Sequence, residues 1–218
     1  MQYTWLNKQN NENLIIFFTG WSFDETPFKF LKCENFDVLF IYDYTKCSLD
    51  KIANQVNYKH KYLIAWSMGV YAAYKFKNLF NDFDKKIAIN GTPFPVDDEF
   101  GIPKKPFLLT LRHAKTGLEG KFYQNIFDNF IEYERYIQTP VKRTIENRVE
   151  ELNELYKLIQ SDNIIYDHFY TYAFVSLRDK IIPSKNQIKF WTKFNTPIKQ
   201  LESGHFPYYN FKSWKELL

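Results

Sequence analysis

The fold is decided by the stretch Lys61-Tyr62-Leu63-Ile64-Ala65-Trp66-Ser67-Met68-Gly69-Val70-Tyr71-Ala72-Ala73. The apolar run Tyr62–Trp66 predicts a buried strand, and Val70–Phe80 predicts a helix that packs against the sheet. Ser67 lies at the turn between them, with small residues two positions before and two positions after it. This is the G-x-S-x-G nucleophile elbow with alanine in the first small position, because larger side chains would collide with the backbone of so tight a turn.

The elbow predicts chemistry as well as a turn. It raises the Ser67 hydroxyl above the sheet and places the backbone N–H of Met68 at the helix N-terminus, where negative charge is stabilised. The alternative is an ordinary strand-turn-helix in which the serine only caps the helix. Five residues alone do not separate the two interpretations.

Five further segments, most of them apolar, predict other strands of the same sheet. They are Leu14–Phe18, Val38–Ile41, Lys86–Asn90, Tyr172–Ser176 and Pro197–Leu201. Strands that alternate with segments of helical length predict an α/β fold with a compact, mostly parallel sheet of about six strands. Such sheets bind ligands at the carboxyl ends of their strands, where the chain places polar or glycine residues. We expect one domain over residues 1–218.

The alternation stops between residues 101 and 167, where no clear strand is found. Three amphipathic helices are predicted there instead, Lys105–His113, Gly120–Tyr136 and Val141–Gln160. Because this segment interrupts the sheet before the strand that precedes Asp179, we expect an inserted helical lid over the carboxyl edge.

Three polar residues each follow a different predicted strand: Ser67, Asp179 and His205. Their order along the chain, Ser then Asp then His, is the order of α/β-hydrolases. In such a triad His205 accepts the serine proton, while Asp179 holds the imidazole in the right tautomer and stabilises its cation. Each residue alone also suits a plain turn, but their joint placement favours a triad. The backbone N–H groups of Trp21 and Met68 are the expected oxyanion donors.

Composition argues against several classes of protein. The formal net charge of +4 is too small to argue for nucleic-acid binding, although it suits an acidic partner. Cys33 and Cys47 have no His or Cys at metal-ligand spacing, so we expect no metal and no cofactor. The polar N-terminus Met1–Glu12 and the lack of a long apolar run predict a soluble cytoplasmic protein that does not enter a membrane, and we expect a monomer.

Five motifs stand out when they are taken together. They are Phe18-Thr19-Gly20-Trp21-Ser22-Phe23-Asp24-Glu25-Thr26-Pro27-Phe28, Ile41-Tyr42-Asp43-Tyr44, Ala65-Trp66-Ser67-Met68-Gly69, Asn90-Gly91-Thr92-Pro93-Phe94-Pro95 and Gly204-His205-Phe206-Pro207. In combination they resemble the BioG-type pimeloyl-[acyl-carrier protein] methyl ester esterases, compact α/β-hydrolases of biotin synthesis. The resemblance runs from about Leu14 to the C-terminus, and Gly20–Phe28 is its most specific part.

The resemblance implies a serine esterase that hydrolyses the methyl ester of a pimeloyl chain held on acyl-carrier protein, which frees the distal carboxylate. Carried over by position, Ser67 is the nucleophile, His205 the base and Asp179 the acid, and the two expected amides form the oxyanion hole. The chain has Thr19 where many α/β-hydrolases carry histidine, and Ala65 replaces the first glycine of the elbow. Neither change removes a required atom, because both oxyanion donors are backbone groups.

The predicted lid has two features that suit this substrate. Its apolar faces are expected to line a channel for the acyl chain and the phosphopantetheine arm, with the candidates Phe107, Leu108, Leu111, Phe122, Ile126 and Phe130. Its basic side chains are the candidate docking surface for the acidic carrier protein: Lys104, Lys105, Arg112, Lys115 and Lys121. The alternative is that these are solvated charges on ordinary helix faces.

Two other functions stay open at this point. A general carboxylesterase or an acyl thioesterase would use the same triad, and only the family-like motifs favour the methyl ester esterase. A catalytically silent α/β-hydrolase that serves as a binding module is the second alternative, against which the three triad residues argue.

Overall fold

A computed structural model describes residues 1–49, 52 and 57–218. Its centre is one seven-stranded sheet in the order β1-β3-β2-β4-β5-β6-β7. The strands are β1 Gln2–Asn7, β2 Asn13–Phe18, β3 Phe36–Tyr42, β4 His60–Trp66, β5 Lys85–Ile89, β6 Tyr172–Ser176 and β7 Ile198–Leu201. Strands β2 to β7 are parallel to one another, and all six correspond to strands expected from the sequence.

The seventh strand, β1, was not expected. It pairs antiparallel with β3, from Gln2 opposite Tyr42 to Asn7 opposite Val38. Sequence patterns missed it because Q-Y-T-W-L-N lies at the sheet edge, where five of its six residues are only half-buried. A strand of this kind lacks the continuous apolar run that marks a central parallel strand.

The strand order reverses at β2, which lies between β3 and β4. The carboxyl ends are level at this point, since Phe18 pairs with Ile41 of β3 and with Ala65 of β4. The chain leaves the carboxyl end of β2 towards β3 and that of β4 towards β5, on the opposite side, and a crevice is expected where the direction changes. Open parallel sheets bind their ligands in such a crevice.

In the part of the chain that the structure describes, α1 Met68–Lys75 and, later in the chain, α6 Ser184–Lys193 pack against the sheet. Helix α1 is shorter than the expected helix Val70–Phe80, because it ends at Lys75 and a 3-10 turn, Lys77–Phe80, follows. Every residue of α1 from Met68 to Tyr74 is buried, so the segment after Ser67 is held firmly against the strands.

The segment between β5 and β6 is helical, and we call residues 101–167 the helical insert. It contains α2 Lys104–Gly117, a π turn Leu118–Phe122, α3 Tyr123–Ile126, α4 Phe130–Gln138 and α5 Ile145–Ser161. None of the helices in the described part of the chain is long and apolar enough to cross a membrane.

The prediction of one continuous helix over Gly120–Tyr136 is wrong. Phe127 has an extended backbone (φ −91°, ψ 152°), which ends α3. The Asn129 side chain then caps α4 by accepting a hydrogen bond from the backbone N–H of Glu132 at 3.0 Å. The helices on both sides of this break bury residues against the same core, so the amphipathic pattern continues across it. Periodicity alone therefore did not reveal the break.

An aromatic cluster fixes the segment that carries His205. The ring of Phe206 lies 5.2 Å from that of Phe28, 5.6 Å from that of Trp66 and 5.3 Å from that of Phe127. All four rings are buried, so this segment is packed against both the sheet and the helical insert.

Candidate active site

Ser67 is fixed at the sharp turn between β4 and α1. Its φ is 56°, in the left-handed region that residues other than glycine seldom adopt. Close packing surrounds it: a Cβ on Gly69 would lie 2.5 Å from the carbonyl oxygen of Thr19, and a Cβ on Gly91 would lie 2.5 Å from that of Ser67. The backbone N–H of Ser67 donates to the carbonyl of Ile89 at 2.9 Å. These contacts leave little freedom in the position of the serine.

The structure brings Ser67, His205 and Asp179 into one hydrogen-bonded row. Nε2 of His205 lies 2.8 Å from Oγ of Ser67, and its Nδ1 lies 2.8 Å from Oδ2 of Asp179. Their exposed fractions are 6% for the serine, 2% for the histidine and 9% for the aspartate. An imidazole with its proton on Nδ1 donates to the carboxylate and accepts from the serine hydroxyl at Nε2. A base that activates a serine needs this arrangement.

Asp179 is oriented by donors from its own loop and from α6. Its Oδ1 accepts hydrogen bonds from the backbone N–H groups of Ile181 and Ile182 at 2.8 and 2.9 Å. Besides His205, its Oδ2 accepts from Nε2 of Gln187 at 3.0 Å. The sequence analysis did not identify Gln187. The only indication in the sequence is that it lies on the helix that follows Asp179.

The backbone of His205 is held by two further residues that the sequence analysis missed. Its carbonyl oxygen accepts from Nε1 of Trp66 at 2.8 Å and from Nδ2 of Asn90 at 2.9 Å. The Asn90 Oδ1 also accepts from the backbone N–H of Ser176 at 2.7 Å, so its amide joins the ends of β5 and β6 to the histidine. Contacts between residues so far apart in the chain leave no local pattern.

The loop after β2, residues 19–24, lies against the nucleophile, and we call it the β2 loop. A Cβ on Gly20 would lie 3.0 Å from Cβ of Ser67. Within the described ranges, no hydrogen bond uses the backbone N–H of Trp21 or that of Met68. Both residues line the same cavity as the serine. These are the two amides expected from the sequence as oxyanion donors, and that role stays a prediction.

A cavity of about 240 Å³ lies over Ser67 and His205. The helical insert forms one wall of it, with Ile102, Pro106, Phe107, Leu109, Thr110, Phe122, Asn125, Ile126 and Leu152. Most of these side chains are apolar, so the cavity suits an acyl chain better than a polar substrate.

Three of the six side chains expected to line an acyl channel do line this cavity: Phe107, Phe122 and Ile126. The prediction is wrong for Leu108, Leu111 and Phe130. Leu108 and Phe130 are 45% and 68% exposed, while Leu111 packs against the hydrophobic core. Leu108 is rotated by about 100° around α2 from the preceding residue. Phe130 follows the break in the predicted helix, and its side chain is exposed rather than part of the cavity wall.

A second cavity of about 510 Å³ continues from the first along α2. The two cavities share Trp21, Leu109, Thr110, Phe122 and Asn125. The second extends past the end of α2 to Lys121 in the π turn. A groove therefore leads from the serine, under α2, to the surface of the insert.

Comparison with known proteins identifies the family of this chain. The profile of the family described as "Pimeloyl-ACP methyl esterase BioG" matches residues 1–217. The chain belongs to the BioG family. A crystal structure of selenomethionine BioG from Haemophilus influenzae matches with a TM-score of 0.89 and 32% identity, over 100% of this chain and 99% of that one.

Two further matches place the BioG-family chain in a wider setting. A Bacteroides fragilis protein named malonyl-[acyl-carrier protein] O-methyltransferase is 32% identical over 198 residues, which are 88% of this chain but only 39% of that protein. The α/β hydrolase MGS-M2, from a Medee basin deep-sea metagenome library, has a TM-score of 0.64 at 15% identity, over 96% of this chain and 88% of that one. The fold is thus the α/β-hydrolase fold.

The basic side chains singled out in the sequence lie together on the surface of this BioG-family chain, and we call them the basic surface. It consists of Lys104, Lys105, Arg112, Lys115 and Lys121, all exposed on α2 or the π turn. No ion pair in the part of the chain that the structure describes uses any of them. Lys121 also lines the groove that leads to Ser67, so part of the basic surface borders the opening of the cavity.

Proposed function

We propose that this chain is a serine esterase that hydrolyses the methyl ester of pimeloyl-[acyl-carrier protein] and so frees the pimeloyl carboxylate for biotin synthesis. The observation that carries the proposal is the row Ser67–His205–Asp179, joined by two 2.8 Å contacts in a BioG-family chain. The family suggests the reaction, and the row supplies the groups that the reaction needs.

In the first half of the reaction His205 takes the proton of the Ser67 hydroxyl while Oγ bonds to the ester carbonyl carbon. The backbone N–H groups of Trp21 and Met68 stabilise the oxyanion of the tetrahedral intermediate. The bond to the methoxy oxygen then breaks, and the imidazolium gives its proton to that oxygen, which leaves as methanol. Asp179 stabilises the imidazolium while it holds the proton.

Water hydrolyses the acyl-enzyme in the second half. His205 takes one proton from the water as its oxygen adds to the acyl carbon, and the same amides stabilise the second oxyanion. The bond to Oγ then breaks, and the imidazolium returns its proton to Ser67. The products are free enzyme and a carboxylic acid, which ionises at neutral pH.

The groove and the basic surface suit a substrate carried on an acidic protein. Apolar side chains line the cavity beside the serine, and the groove reaches the surface at Lys121, within the basic surface. Exposed cations without ion-pair partners attract an acidic carrier and orient it. The name of the Bacteroides relative describes methylation of an acyl group on a carrier protein, the counterpart of removing a methyl ester. We propose that the chain acts in the cytoplasm, as a monomer whose site is complete within one chain.

The experiment compares kcat/KM for three substrates: the pimeloyl-carrier methyl ester, the free methyl ester and an acyl-carrier thioester. The proposal predicts the highest value for the carrier-bound methyl ester, with the thioester bond left intact. Ser67→Ala is the control, since a triad serine contributes on the order of 10⁶-fold to kcat.

Other outcomes would replace the proposal with a named alternative. Equal values for the two methyl esters indicate a general carboxylesterase, and preferred thioester cleavage indicates a thioesterase. No turnover together with no labelling by a fluorophosphonate indicates a silent binding module.

A further inference from the structure

Helix α5 of the helical insert contacts the β2 loop at two adjacent places, the Trp21 side chain and the backbone N–H of the next residue. The Trp21 indole donates from Nε1 to the carbonyl oxygen of Arg148 at 2.7 Å. The next backbone N–H, that of Ser22, donates to Oε2 of Glu151 at 3.1 Å. Residues three apart lie on one face of a helix. One face of α5 therefore holds both the Trp21 side chain and the peptide that follows it.

Ser22 has a backbone conformation that serine seldom adopts unaided. Its φ is 77°, in the left-handed region that favours glycine. Its hydroxyl forms a hydrogen bond with the hydroxyl of Tyr123 on α3, and its amide is held by Glu151. A strained residue persists when its surroundings over-determine it, and here the helical insert supplies those surroundings.

Glu151 is fully buried and joins three segments of the chain. Its Oε1 accepts from the backbone N–H of Tyr44 at 2.9 Å, and its Oε2 accepts from Arg143 at 2.8 Å as well as from Ser22. Burial raises the pKa of the Glu151 carboxyl, and the Arg143 cation and the two backbone N–H groups oppose that rise. The cost of removing two charges from water offsets most of the attraction between them in a buried ion pair. A contribution to stability is therefore a weak explanation for a carboxylate at this buried position.

We propose that Glu151 is a positioning residue for the oxyanion hole. By holding the Ser22 amide it fixes the backbone of Trp21, whose own N–H is one of the two proposed oxyanion donors. Such donors stabilise a transition state only when they are held in place before the reaction. The inference rests on the proposed esterase function and specifies what the helical insert contributes to it.

The first test compares Glu151→Gln with the matched control Glu150→Gln, which changes an exposed neighbour on the same helix. The substrate is a small soluble p-nitrophenyl ester, so that carrier docking does not enter. Loss of a whole oxyanion donor costs about 10²- to 10³-fold in kcat. For Glu151→Gln, which loosens one donor, we expect a fall in kcat of about 10-fold with little change in KM. Glu150→Gln should match the wild type.

A second readout separates positioning from folding. A trifluoromethyl ketone adds reversibly to Ser67 and forms a tetrahedral hemiketal, so its affinity depends on the oxyanion donors. Positioning predicts that its Ki rises in Glu151→Gln by about the factor by which kcat falls. If Glu151 only stabilises the fold, a smaller active fraction lowers the rate while the Ki of the folded enzyme stays unchanged. That result would overturn the proposal.

The pair Ser22→Gly and Ser22→Ala tests the same conformation without touching the buried carboxylate. Both variants lose the hydroxyl contact with Tyr123, but only glycine adopts a φ near 77° without strain. Positioning therefore predicts a higher kcat and a lower ketone Ki for Ser22→Gly. Equal values for the two variants would overturn the proposal, and this pair decides the matter if Glu151→Gln does not fold.

The outcomes also separate this inference from the function on which it rests. If the wild type shows no Ser67-dependent ester turnover, the proposed function itself is wrong, and the positioning role is overturned with it. If the wild type turns over normally and Glu151→Gln matches Glu150→Gln in both kcat and Ki, only the positioning role of Glu151 is wrong.

Discussion

Three residues around the proposed nucleophile have backbone conformations in the left-handed region. Ser67, Ser22 and Asn90 all have positive φ values, of 56°, 77° and 44°. Each is held by contacts with distant parts of the chain rather than by its neighbours in sequence. Strained backbone conformations are found more often at active sites, where the positions of reacting groups must be fixed, and these three agree with that tendency.

At the same scale, Asp179→Asn should lower kcat on the order of 10⁴-fold, because the imidazole takes the wrong tautomer. The backbone N–H groups of Ile181 and Ile182 require an acceptor, so the asparagine oxygen turns to them and its NH₂ faces His205. Nδ1 must then accept, Nε2 carries the proton, and the Ser67 hydroxyl loses its base. The measurement is kcat with a small ester, together with a thermal melt to show that the variant is folded.

Asp167→Asn is the matched control for that variant. Asp167 is exposed and bonds to Tyr74 and Lys77 rather than to His205, so its replacement should leave kcat nearly unchanged. If Asp179→Asn kept nearly wild-type activity, or if Asp167→Asn lost it, the assignment of the acid would be wrong.

The sequence predicts that Ser67, Asp179 and His205 lie at one edge of the sheet, but it does not predict the residues that support them. Ser67 follows β4 directly, and Asp179 and His205 lie a few residues after the ends of β6 and β7, so topology alone brings them to one edge of the sheet. Gln187 and Glu151 act through contacts that form only once the helices pack. Their local patterns are those of ordinary helix residues, and nothing in the chain near them indicates a partner.

Among the elements, the edge strand β1 depends on one buried carboxylate. The Asp37 side chain, at the start of β3, accepts hydrogen bonds from the backbone N–H groups of Gln9, Asn10 and Asn11 and from the hydroxyl of Tyr58. The connection between β1 and β2 therefore folds over this carboxylate. Burial alone would raise the pKa of Asp37, but these donors lower it below its ordinary value.

Asp37→Asn should destabilise the protein at pH 7 by about 2–3 kcal/mol, because the buried carboxylate loses its charge-assisted hydrogen bonds. A folded-state pKa below the unfolded value of about 3.9 means that this contribution is complete above that pH. It is lost as the pH falls through the folded pKa. The measurement is urea unfolding over a pH series.

The difference in free energy of unfolding between the wild type and Asp37→Asn should therefore become smaller below about pH 4. Glu12→Gln removes an exposed partner of Lys59 and serves as the control, with little expected effect. A difference that stayed constant with pH, or no difference at pH 7, would contradict this account of Asp37.

Elements were predictable wherever burial imposes a simple pattern. Strands β2 to β6 lie inside the sheet and appear as apolar runs, so they were found. Strand β7 was found as well, although it lies at the opposite edge from β1 and exposes Lys199 and Gln200. The edge strand β1 escaped because half-burial weakens the pattern, and the break at Phe127 escaped because the apolar periodicity continues beyond it. In both cases tertiary contacts, rather than local preference, determine the structure.

For the molecule as a whole, the helical insert has two roles in this account. It forms one wall of the cavity over Ser67, and its outer face carries the basic surface. A carrier protein bound to that face would lie beside the groove that ends at Lys121. Docking and chemistry would then use opposite sides of the same helices, so charge on the outer face can be altered without changing the triad.

Reversal of Lys104, Lys105 and Lys115 to Glu should lower kcat/KM for the carrier-bound ester and leave a small soluble ester nearly untouched. The wild-type preference for the carrier-bound ester should also shrink as salt rises, because exposed charges are screened beyond about 8 Å at physiological ionic strength. The measurement is kcat/KM for both substrates over a salt series.

Lys59→Glu together with Lys215→Glu is a control that reverses two exposed lysines away from the basic surface. Lys59 precedes β4, and the C-terminal residue beyond Lys215 contacts Lys85 at the start of β5, so both lie at the amino edge of the sheet, away from the site. Equal losses on both substrates would indicate a disturbed insert. No loss on either would show that the basic surface is not the docking site.

The central claim is that Ser67 carries out hydrolysis of a methyl ester on a carrier protein. The most direct measurement is the intact mass of pimeloyl-carrier methyl ester after incubation with the wild type or with Ser67→Ala. We expect the wild type to convert the carrier to the mass of its free pimeloyl acid, with the acyl chain still attached, and Ser67→Ala to leave the mass unchanged. Release of the whole acyl chain, or equal conversion by Ser67→Ala, would contradict the central claim.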